Sequence, residues 1–183
     1  MLLQIFKYNF FWIMLICCAC TNENISIQKD MTKSSDFSVQ NNDLTTFHKS
    51  GYGSIYLGGV YDASKFKQVS EELEGCFNAS SLDFSGISIT VENNIISEIS
   101  TDDPSILSYD GIKVGDPISL IEDKVDLNAL EIIQNDYTNL PVFIHWHDKN
   151  KAVGTRYSTD DGIIIYYIDM GLSERMYLLE GCA

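Results

Sequence analysis

A pair of hairpin signals, at residues 86–100 and 155–169, most constrains the fold of this 183-residue sequence. The segment GISITVENNIISEIS alternates apolar and polar residues and then turns at Asn93 and Asn94, and the segment TRYSTDDGIIIYYID turns at Asp161 and Gly162. Alternation with a period of two predicts a β-strand, and Asn and Gly tolerate the positive φ angles of tight turns. Both segments therefore predict antiparallel β-hairpins.

The second hairpin also contains a continuous apolar run from Ile163 to Ile168. Adjacent residues of a strand point to opposite faces of its sheet, so this strand needs apolar cover on both sides. A helix can cover one face, and a second copy of the unit or a partner can cover the other. The run therefore indicates a layered fold.

A helix is predicted ahead of each hairpin. The segments GSIYLGG and GIKVGD share the pattern Ile-x-[Leu/Val]-Gly, and apolar residues follow each of them at three- and four-residue spacing. Asp116 can cap the second helix, and Gly75 can end the first. In the first helix, early lysines and late glutamates oppose the helix dipole, so only packing can hold it. The predicted apolar stripes are Phe66, Val69 and Leu73 in the first helix, and Ile118, Ile121 and Val125 in the second.

The Ile-x-[Leu/Val]-Gly pattern, the helix signal and the hairpin signal thus occur twice in the same order, which predicts an internal duplication. We expect an α+β fold in which two tandem helix-plus-antiparallel-sheet units pack as one domain. The first unit spans residues 50–105 and the second spans residues 106–183.

The N-terminal residues predict export and lipid anchoring. A charged start at Lys7, a short apolar run and a small residue, Ala19, are the parts of a signal peptide, and the apolar run is too short to cross a bilayer. Cleavage after Ala19 leaves Cys20 first, which resembles the lipobox of bacterial lipoproteins, although Cys17 stands where that motif has leucine. The resemblance implies that Cys20 carries the lipid. A plain signal peptide and a cysteine metal site are the alternatives.

The signal peptide is predicted to span residues 1–19, and the polar segment 20–49 is predicted to be a flexible tether. Thr21 stands where retention in the inner membrane requires aspartate, so the lipoprotein resemblance implies an anchor in the outer membrane, facing the periplasm. The formal net charge of -14, from 26 acidic and 12 basic residues, argues against nucleic acid as a ligand. It is compatible with a basic partner or with cations.

Cys76 and Cys182 each end the tripeptide Glu-Gly-Cys, and the predicted folded part contains no other cysteine. In an oxidising compartment, this pair predicts a disulfide bond. The alternative is a thiol-dependent periplasmic enzyme, in which one of these cysteines is the nucleophile and His145 or His147 is the base.

The segment FIHWHDKN places His145 and His147 on one face of a predicted strand, with Asp148 beyond them. Two imidazoles at alternate strand positions can begin a zinc or copper site. Nothing in the sequence fixes a third ligand, so these three residues are weak candidates and no metal or cofactor is assigned. A periplasmic metal-binding protein that uses His145 and His147 is nevertheless an alternative function.

Aromatic residues on the predicted strands offer a surface for a protein partner. Tyr166 and Tyr167 must face opposite sides of their strand, so at least one of them can point outward. The sequence also lacks nucleophile-elbow, phosphate-loop and zinc-protease motifs, which favours a protein that is not an enzyme. The proposed partner surface consists of Trp146, Tyr157, Tyr166 and Tyr167.

The Gly-helix-hairpin repeat and the closing Glu-Gly-Cys, over residues 51–182, resemble uncharacterised bacterial lipoproteins. More distantly, the repeat is similar to the β-barrel-assembly accessory lipoproteins (SmpA/OmlA) and to the β-lactamase-inhibitor-protein fold. The predicted anchor, the excess of acidic residues, the aromatic residues on the predicted strands and the absence of a catalytic motif together predict a lipid-anchored envelope protein that acts without catalysis by binding another envelope protein, in assembly or as an inhibitor. A shared fold does not transfer contact residues, so none is assigned from these groups.

Overall fold

The computed structural model describes residues 45–179 and 181–182, which all belong to one compact unit. Strands β1–β3 form a three-stranded sheet, and β4–β11 form an eight-stranded antiparallel sheet in the order β4-β5-β6-β7-β11-β10-β9-β8. In chain order the strands are β1 Phe47–His48, β2 Gly51–Tyr52, β3 Ile55–Tyr56, β4 Phe66–Gln68, β5 Cys76–Ser81, β6 Ser88–Glu92, β7 Ile95–Thr101, β8 Leu130–Gln134, β9 Pro141–Trp146, β10 Val153–Thr159 and β11 Ile165–Leu172.

Helical structure is sparse in the described part of the chain. It consists of the α-helix α1, Ser119–Lys124, and two short 3-10 helices, Leu127–Ala129 and Ser173–Tyr177. Among the described residues, no helix has the length and apolar character needed to cross a membrane.

The predicted α+β fold of two helix-plus-sheet units is wrong. The described residues form a mainly β structure, and its single α-helix lies in the second predicted unit. The strands on both sides of the predicted division at residues 105 and 106 also belong to one sheet, because β7 pairs with β11. The predicted signal peptide and most of the predicted tether lie outside the described residues.

The first predicted helix does not form, and most of its predicted apolar stripe is exposed. Phe66 begins β4 and is buried, whereas the side chains of Val69 and Leu73 are 57% and 53% exposed. The charges of this segment oppose a helix dipole, and short helices depend on packing of an apolar face for most of their stability. Gly75 has a φ of 82° and belongs to the turn that leads into β5, so it does not end a helix.

The second predicted helix exists but is short. In α1 the predicted apolar residue Ile121 is buried, and Val125 is buried directly after the last helical residue. Asp116 does not cap this helix, because its Oδ2 accepts a hydrogen bond from the backbone N–H of Lys113 at 3.0 Å.

Both predicted hairpins are confirmed. Asn93 and Asn94, with φ angles of 51° and 68°, form the two-residue turn between β6 and β7. The hairpin of β10 and β11 has a longer turn, in which Asp161 Oδ1 accepts the backbone N–H groups of Ile163 and Ile164 at 2.7 and 2.9 Å.

The continuous apolar run of the second hairpin is therefore not covered along its whole length. Ile163 and Ile164 lie in the turn and are 63% and 36% exposed. The strand begins at Ile165, which is fully buried, as is Ile168. The prediction of cover on both sides is wrong at the start of the run, because the turn extends past Gly162.

The two faces of the eight-stranded sheet differ in chemistry. Residues paired across antiparallel strands point to the same face. One row, on what we call the apolar face, runs through Ala79, Ile89, Ile99, Met170, Thr155 and His145. A row on the opposite face, which we call the polar face, runs through Ser80, Ser88, Ser100, Asp169 and Arg156.

The main core lies on the apolar face. Phe47, Tyr52 and Ile55 of the three-stranded sheet pack into the same buried cluster as Ile89 and Ile99. Each fully buried large apolar side chain of this kind stabilises the fold by roughly 1.5–3 kcal/mol. A smaller buried apolar cluster, formed by Ile144, Trp146 and Met176, lies on the polar face, since Ile144 pairs with Arg156 across the strands.

Candidate functional site

The polar face contains a buried network of charged groups. Arg156 in β10 lies opposite Asp169 in β11, and its Nε and Nη2 lie 2.8 and 2.7 Å from Asp169 Oδ2. Arg156 Nη2 also lies 3.0 Å from Glu98 Oε2 in β7. All three side chains are buried. Because charges taken out of water are tolerated only when paired and hydrogen-bonded, each of these groups depends on the others.

The C-terminal residues 173–179 and 181–182, which we call the C-terminal cover, lie over this face. Arg156 Nη1 donates hydrogen bonds to the carbonyl oxygens of Leu178 and Met176 at 2.9 and 3.3 Å. Gly171 in β11 allows this close approach, since a Cβ there would lie 2.6 Å from Met176 Cε. The guanidinium group therefore joins the cover to the sheet.

A disulfide bond fixes the end of the cover. Cys76, at the start of β5, is bonded to Cys182, as the sequence predicted. Both thiols are consumed by this bond, so neither is available as the nucleophile of a thiol-dependent enzyme. That alternative loses its reactive group within the described part of the chain.

A cavity of about 450 Å³ lies between the cover and the polar face. Its size falls in the range of small-molecule sites, roughly 300–1,000 Å³. Its lining is mainly charged, hydroxyl and amide groups, in contrast to the apolar core on the other side of the sheet. The polar lining residues are Asn78, Ser88, Thr90, Glu98, Ser100, Asn135, Arg156, Ser158, Tyr167 and Asp169.

One carboxylate oxygen in this lining has no protein partner. Asp169 Oδ2 is held by Arg156, but Asp169 Oδ1 is buried and accepts no hydrogen bond from the described residues. The five N–H groups of Arg156 are all directed at Asp169, Glu98 and carbonyl oxygens of the cover. The cavity therefore suits a ligand that donates hydrogen bonds, and it offers no spare guanidinium N–H to an anion.

Glu98 changes its charge near neutral pH. Burial, together with the negative charge of Asp169, raises the pKa of Glu98 to about 7, against the opposing effect of Arg156 and Arg175. Glu98 Oε1 also accepts the Thr90 hydroxyl at 3.2 Å. A cation placed in the cavity would favour the ionised form of Glu98 and would displace its proton.

Arg175, which belongs to the cover, lines a separate cavity of about 260 Å³. Its Nη1 lies 3.0 Å from Glu92 Oε1, and its Nε lies 3.7 Å from Glu98 Oε2. Its guanidinium group thus offsets part of the negative charge of Glu98 without lining the larger cavity. The larger cavity itself holds two carboxyl groups and one guanidinium group.

On the apolar face, the structure brings Asp110 to the two predicted histidines. One candidate ligand atom each from Asp110, His145 and His147 lies within 4.8 Å of the others. His145 Nδ1 lies 3.0 Å from Asp110 Oδ2, which also accepts the Tyr157 hydroxyl at 2.6 Å. Although burial opposes it, these hydrogen bonds lower the pKa of Asp110 below its usual value.

Asp148, the ligand expected from sequence, is not part of this cluster. Its Oδ1 accepts the backbone N–H groups of Asn150 and Ala152 at 2.8 and 3.4 Å, and these bonds hold the turn between β9 and β10. The role expected of Asp148 is taken instead by Asp110, which precedes His145 by 35 residues.

The four aromatic residues of the proposed partner surface do not form one surface. Trp146 and Tyr157 are buried, with Trp146 Nε1 donating to Glu131 Oε2 at 3.1 Å. Tyr167 is half-buried and lines the cavity. Only Tyr166 is well exposed, at 59%. The predicted lipidation site, Cys20, lies outside the described residues.

Sequence reasoning missed Asp110, Glu98, Arg156 and Asp169. For two of these residues the sequence does contain a signal, which is a charged residue in the middle of a strand. Arg156 lies within the strand VGTRYST, and Asp169 lies within the strand IYYIDMGL. Charged residues are rarely buried without a partner, so opposite charges on two strands of one hairpin indicate an internal ion pair. For Asp110, no local pattern points to the histidines.

Comparison with known proteins yields one distant structural similarity. No protein-family model matches the chain, and no curated protein matches it. The crystal structure of the uncharacterized protein yfeY from Escherichia coli is similar with a TM-score of 0.48 and 14% sequence identity, over 69% of this chain and 99% of that one. A similarity at this level supports no conclusion about fold or function.

Proposed function

We propose that this protein is a lipid-anchored protein of the bacterial cell envelope that acts by binding. Its ligand is a small molecule that bears a cationic amine and binds in the cavity under the C-terminal cover. The observation that carries the proposal is Asp169, which is 1% exposed and has an Oδ1 without a hydrogen-bond partner among the described residues. An ammonium group supplies the missing donor and a compensating charge together.

The charge of the cavity supports a cation over an anion. Glu98 and Asp169 both pair with Arg156, and Arg175 contacts Glu98 from outside the lining, so the lining itself has one more carboxylate than guanidinium groups once Glu98 ionises. Hydroxyl groups such as those of Ser100 and Tyr167 add further hydrogen-bonding positions. The net charge of the whole chain, -14, also draws cations toward the protein.

The envelope location is supported by the disulfide bond. Stable disulfides are typical of secreted and periplasmic proteins, and the Cys76–Cys182 bond agrees with the signal peptide predicted from residues 1–19. Lipidation at Cys20 and the outer-membrane position remain proposals. Mass spectrometry of the mature N-terminus tests them: a diacylglyceryl group on Cys20 is expected, and an unmodified N-terminus would remove the anchor from the account.

A small-molecule ligand has better support than the protein partner proposed from sequence. Trp146 and Tyr157 are buried and Tyr167 lines the cavity, which leaves Tyr166 as the exposed aromatic residue of that set. A single exposed tyrosine does not define an interface, since stable interfaces bury about 800 Å² on each partner.

The experiment is a binding screen on the full chain in detergent, with size-matched amines, polyols and carboxylates, measured by saturation-transfer NMR and then by calorimetry. We expect binding of amines only, weakened at least about tenfold by Asp169→Asn, because a charge-assisted hydrogen bond contributes about 1.5–3 kcal/mol. Asp160→Asn is the matched control, since Asp160 is exposed in the β10–β11 turn and has the same charge.

A second variant guards against misfolding of Asp169→Asn. Ser158→Phe places a large ring at the edge of the cavity without removing any charge, and it is also expected to weaken amine binding. Binding of carboxylates in preference to amines, or equal amine affinity in all variants, would contradict the proposal.

A further inference from the structure

The hydrogen bonds of His147 fix which of its ring nitrogens carries the proton. A carbonyl oxygen can only accept, so Nδ1, which lies 3.1 Å from the Lys49 carbonyl oxygen, is the protonated nitrogen. In the neutral ring, Nε2 then presents its lone pair and accepts the Thr155 hydroxyl at 2.8 Å. Burial lowers the pKa of His147, which favours this neutral form.

His145 is oriented in the same way by a different acceptor. Its Nδ1 lies 3.0 Å from Asp110 Oδ2, so it donates to the carboxylate and leaves Nε2 as the acceptor in the neutral ring. Asp110 is in turn fixed by the Tyr157 hydroxyl, whose own oxygen lies 3.0 Å from Ser108 Oγ. Protein metal sites use this arrangement, in which a histidine donates one ring N–H to a carboxylate or a carbonyl and binds the metal through the other nitrogen.

We propose that His145 and His147 bind a divalent transition metal ion of the zinc and copper class through their Nε2 atoms. Imidazole nitrogens suit these ions, whereas calcium and magnesium require oxygen ligands. Asp110 is assigned as the positioning residue, because its Oδ2 already accepts hydrogen bonds from His145 and Tyr157. One candidate ligand atom each from Asp110, His145 and His147 lies within 4.8 Å of the others, and the centres of the two imidazole rings lie 5.8 Å apart.

Occupation of the site requires one local change. Thr155 has to rotate its hydroxyl away from His147 Nε2, a single side-chain rotation that leaves β10 in place. His147 is only partly buried, and the ring of Tyr109, which is 45% exposed, lies 4.8 Å from it. His147 therefore lies near the surface, where an ion can enter, whereas His145 is buried. This site does not depend on the amine cavity, because His145 and Arg156 lie on opposite faces of the sheet.

The test is a titration of the full chain in detergent with Co²⁺, followed by displacement with Zn²⁺. We expect one equivalent of Co²⁺ to bind with the visible absorption of a low-coordinate ion, and Zn²⁺ to remove that absorption. His147→Ala is expected to abolish the signal, and Asp110→Asn to weaken binding by about 10–100-fold, as for other residues that orient metal ligands. His48→Ala, which changes the third histidine of the chain, is the control and is expected to bind normally.

NMR of the unmodified chain keeps the test valid if a variant misfolds. Zn²⁺ is expected to shift the ring signals of His145 and His147 and to leave those of His48 unchanged. An absence of stoichiometric Co²⁺ or Zn²⁺ binding would overturn the proposal. So would binding that persists in His147→Ala, or that shifts only His48.

Discussion

The two faces of the eight-stranded sheet are both buried, yet they are held by different forces. On the apolar face, Ile89, Ile99 and Met170 pack against the three-stranded sheet, and their burial needs no specific partner. On the polar face, Arg156 connects Glu98, Asp169 and the C-terminal cover through directed contacts. The packing of these apolar side chains thus involves no charge, whereas the contacts of the polar face depend on the charge of each member.

This difference between the two faces bears on where a ligand-binding site is expected. A buried ion pair adds little net stability compared with well-packed apolar residues, because removing charges from water is costly. A contribution to stability alone therefore does not explain why the polar face carries a buried charge network. Its Asp169 Oδ1, which accepts no hydrogen bond from the described residues, and its cavity of about 450 Å³ support the amine site proposed there.

The largest expected effect comes from removing the central cation. Arg156→Met leaves Asp169 and Glu98 buried without their partner and should lower the free energy of unfolding by about 3–5 kcal/mol at pH 8. The loss should be smaller at pH 6, where Glu98 holds its proton because its pKa is about 7. Urea denaturation at the two pH values measures both quantities. Equal losses would show that the polar face does not depend on charge.

The matching change on the apolar face is Ile99→Ala. Ile99 is fully buried, so the cavity it leaves should cost about 2–5 kcal/mol. No titratable side chain of its own is removed, and the loss should be the same at pH 6 and pH 8 in the same denaturation experiment. A strong pH dependence for this variant would break the contrast between the faces.

Removal of the disulfide should affect mainly the polar face. Replacing both Cys76 and Cys182 by serine should cost about 2–4 kcal/mol, because the bond closes a long loop. Its ends are separated by 106 residues. Hydrogen exchange is expected to rise in the C-terminal cover and to stay slow in the strands of the eight-stranded sheet. A uniform rise throughout the sheet would mean that the cover is not a separate layer.

The effect of Glu98→Gln is expected mainly in how stability changes with pH. Because the pKa of Glu98 is raised from 4.5 to about 7, the folded state holds a proton that the unfolded state releases between these values. Stability must therefore fall as the pH rises through this window, by at most about 1.4 kcal/mol per pH unit. The glutamine variant should lack this slope in denaturation curves recorded from pH 4.5 to pH 8. An unchanged slope would assign the titration to another group.

The sequence predicts the parts of this fold whose signals are local. Asn93, Asn94 and the strands beside them identify one hairpin, and the two cysteines of the folded part identify the disulfide. The spacing of Phe66, Val69 and Leu73 was misleading, because apolar spacing indicates a helix only where one face packs, and here two of the three residues are exposed.

The candidate sites were much harder to predict. The cavity is built from strands that are distant in the chain. Glu98 and Arg156, which form an ion pair there, are 58 residues apart in the sequence. Such contacts follow from the strand order β7-β11-β10, which no local pattern specifies. His145 and His147 were found because they alternate on one strand, but their partner Asp110 comes from a loop that sequence spacing cannot connect to them.

The most direct test of the central claim is calorimetric titration of the full chain with a strongly basic amine at pH 6 and pH 8. If the cation competes with the proton of Glu98, affinity should rise about tenfold between these pH values, as expected for a group that titrates near pH 7. In Glu98→Gln the affinity should not change with pH. Equal affinity of the unmodified chain at both pH values, or no heat of binding at either, would contradict the account.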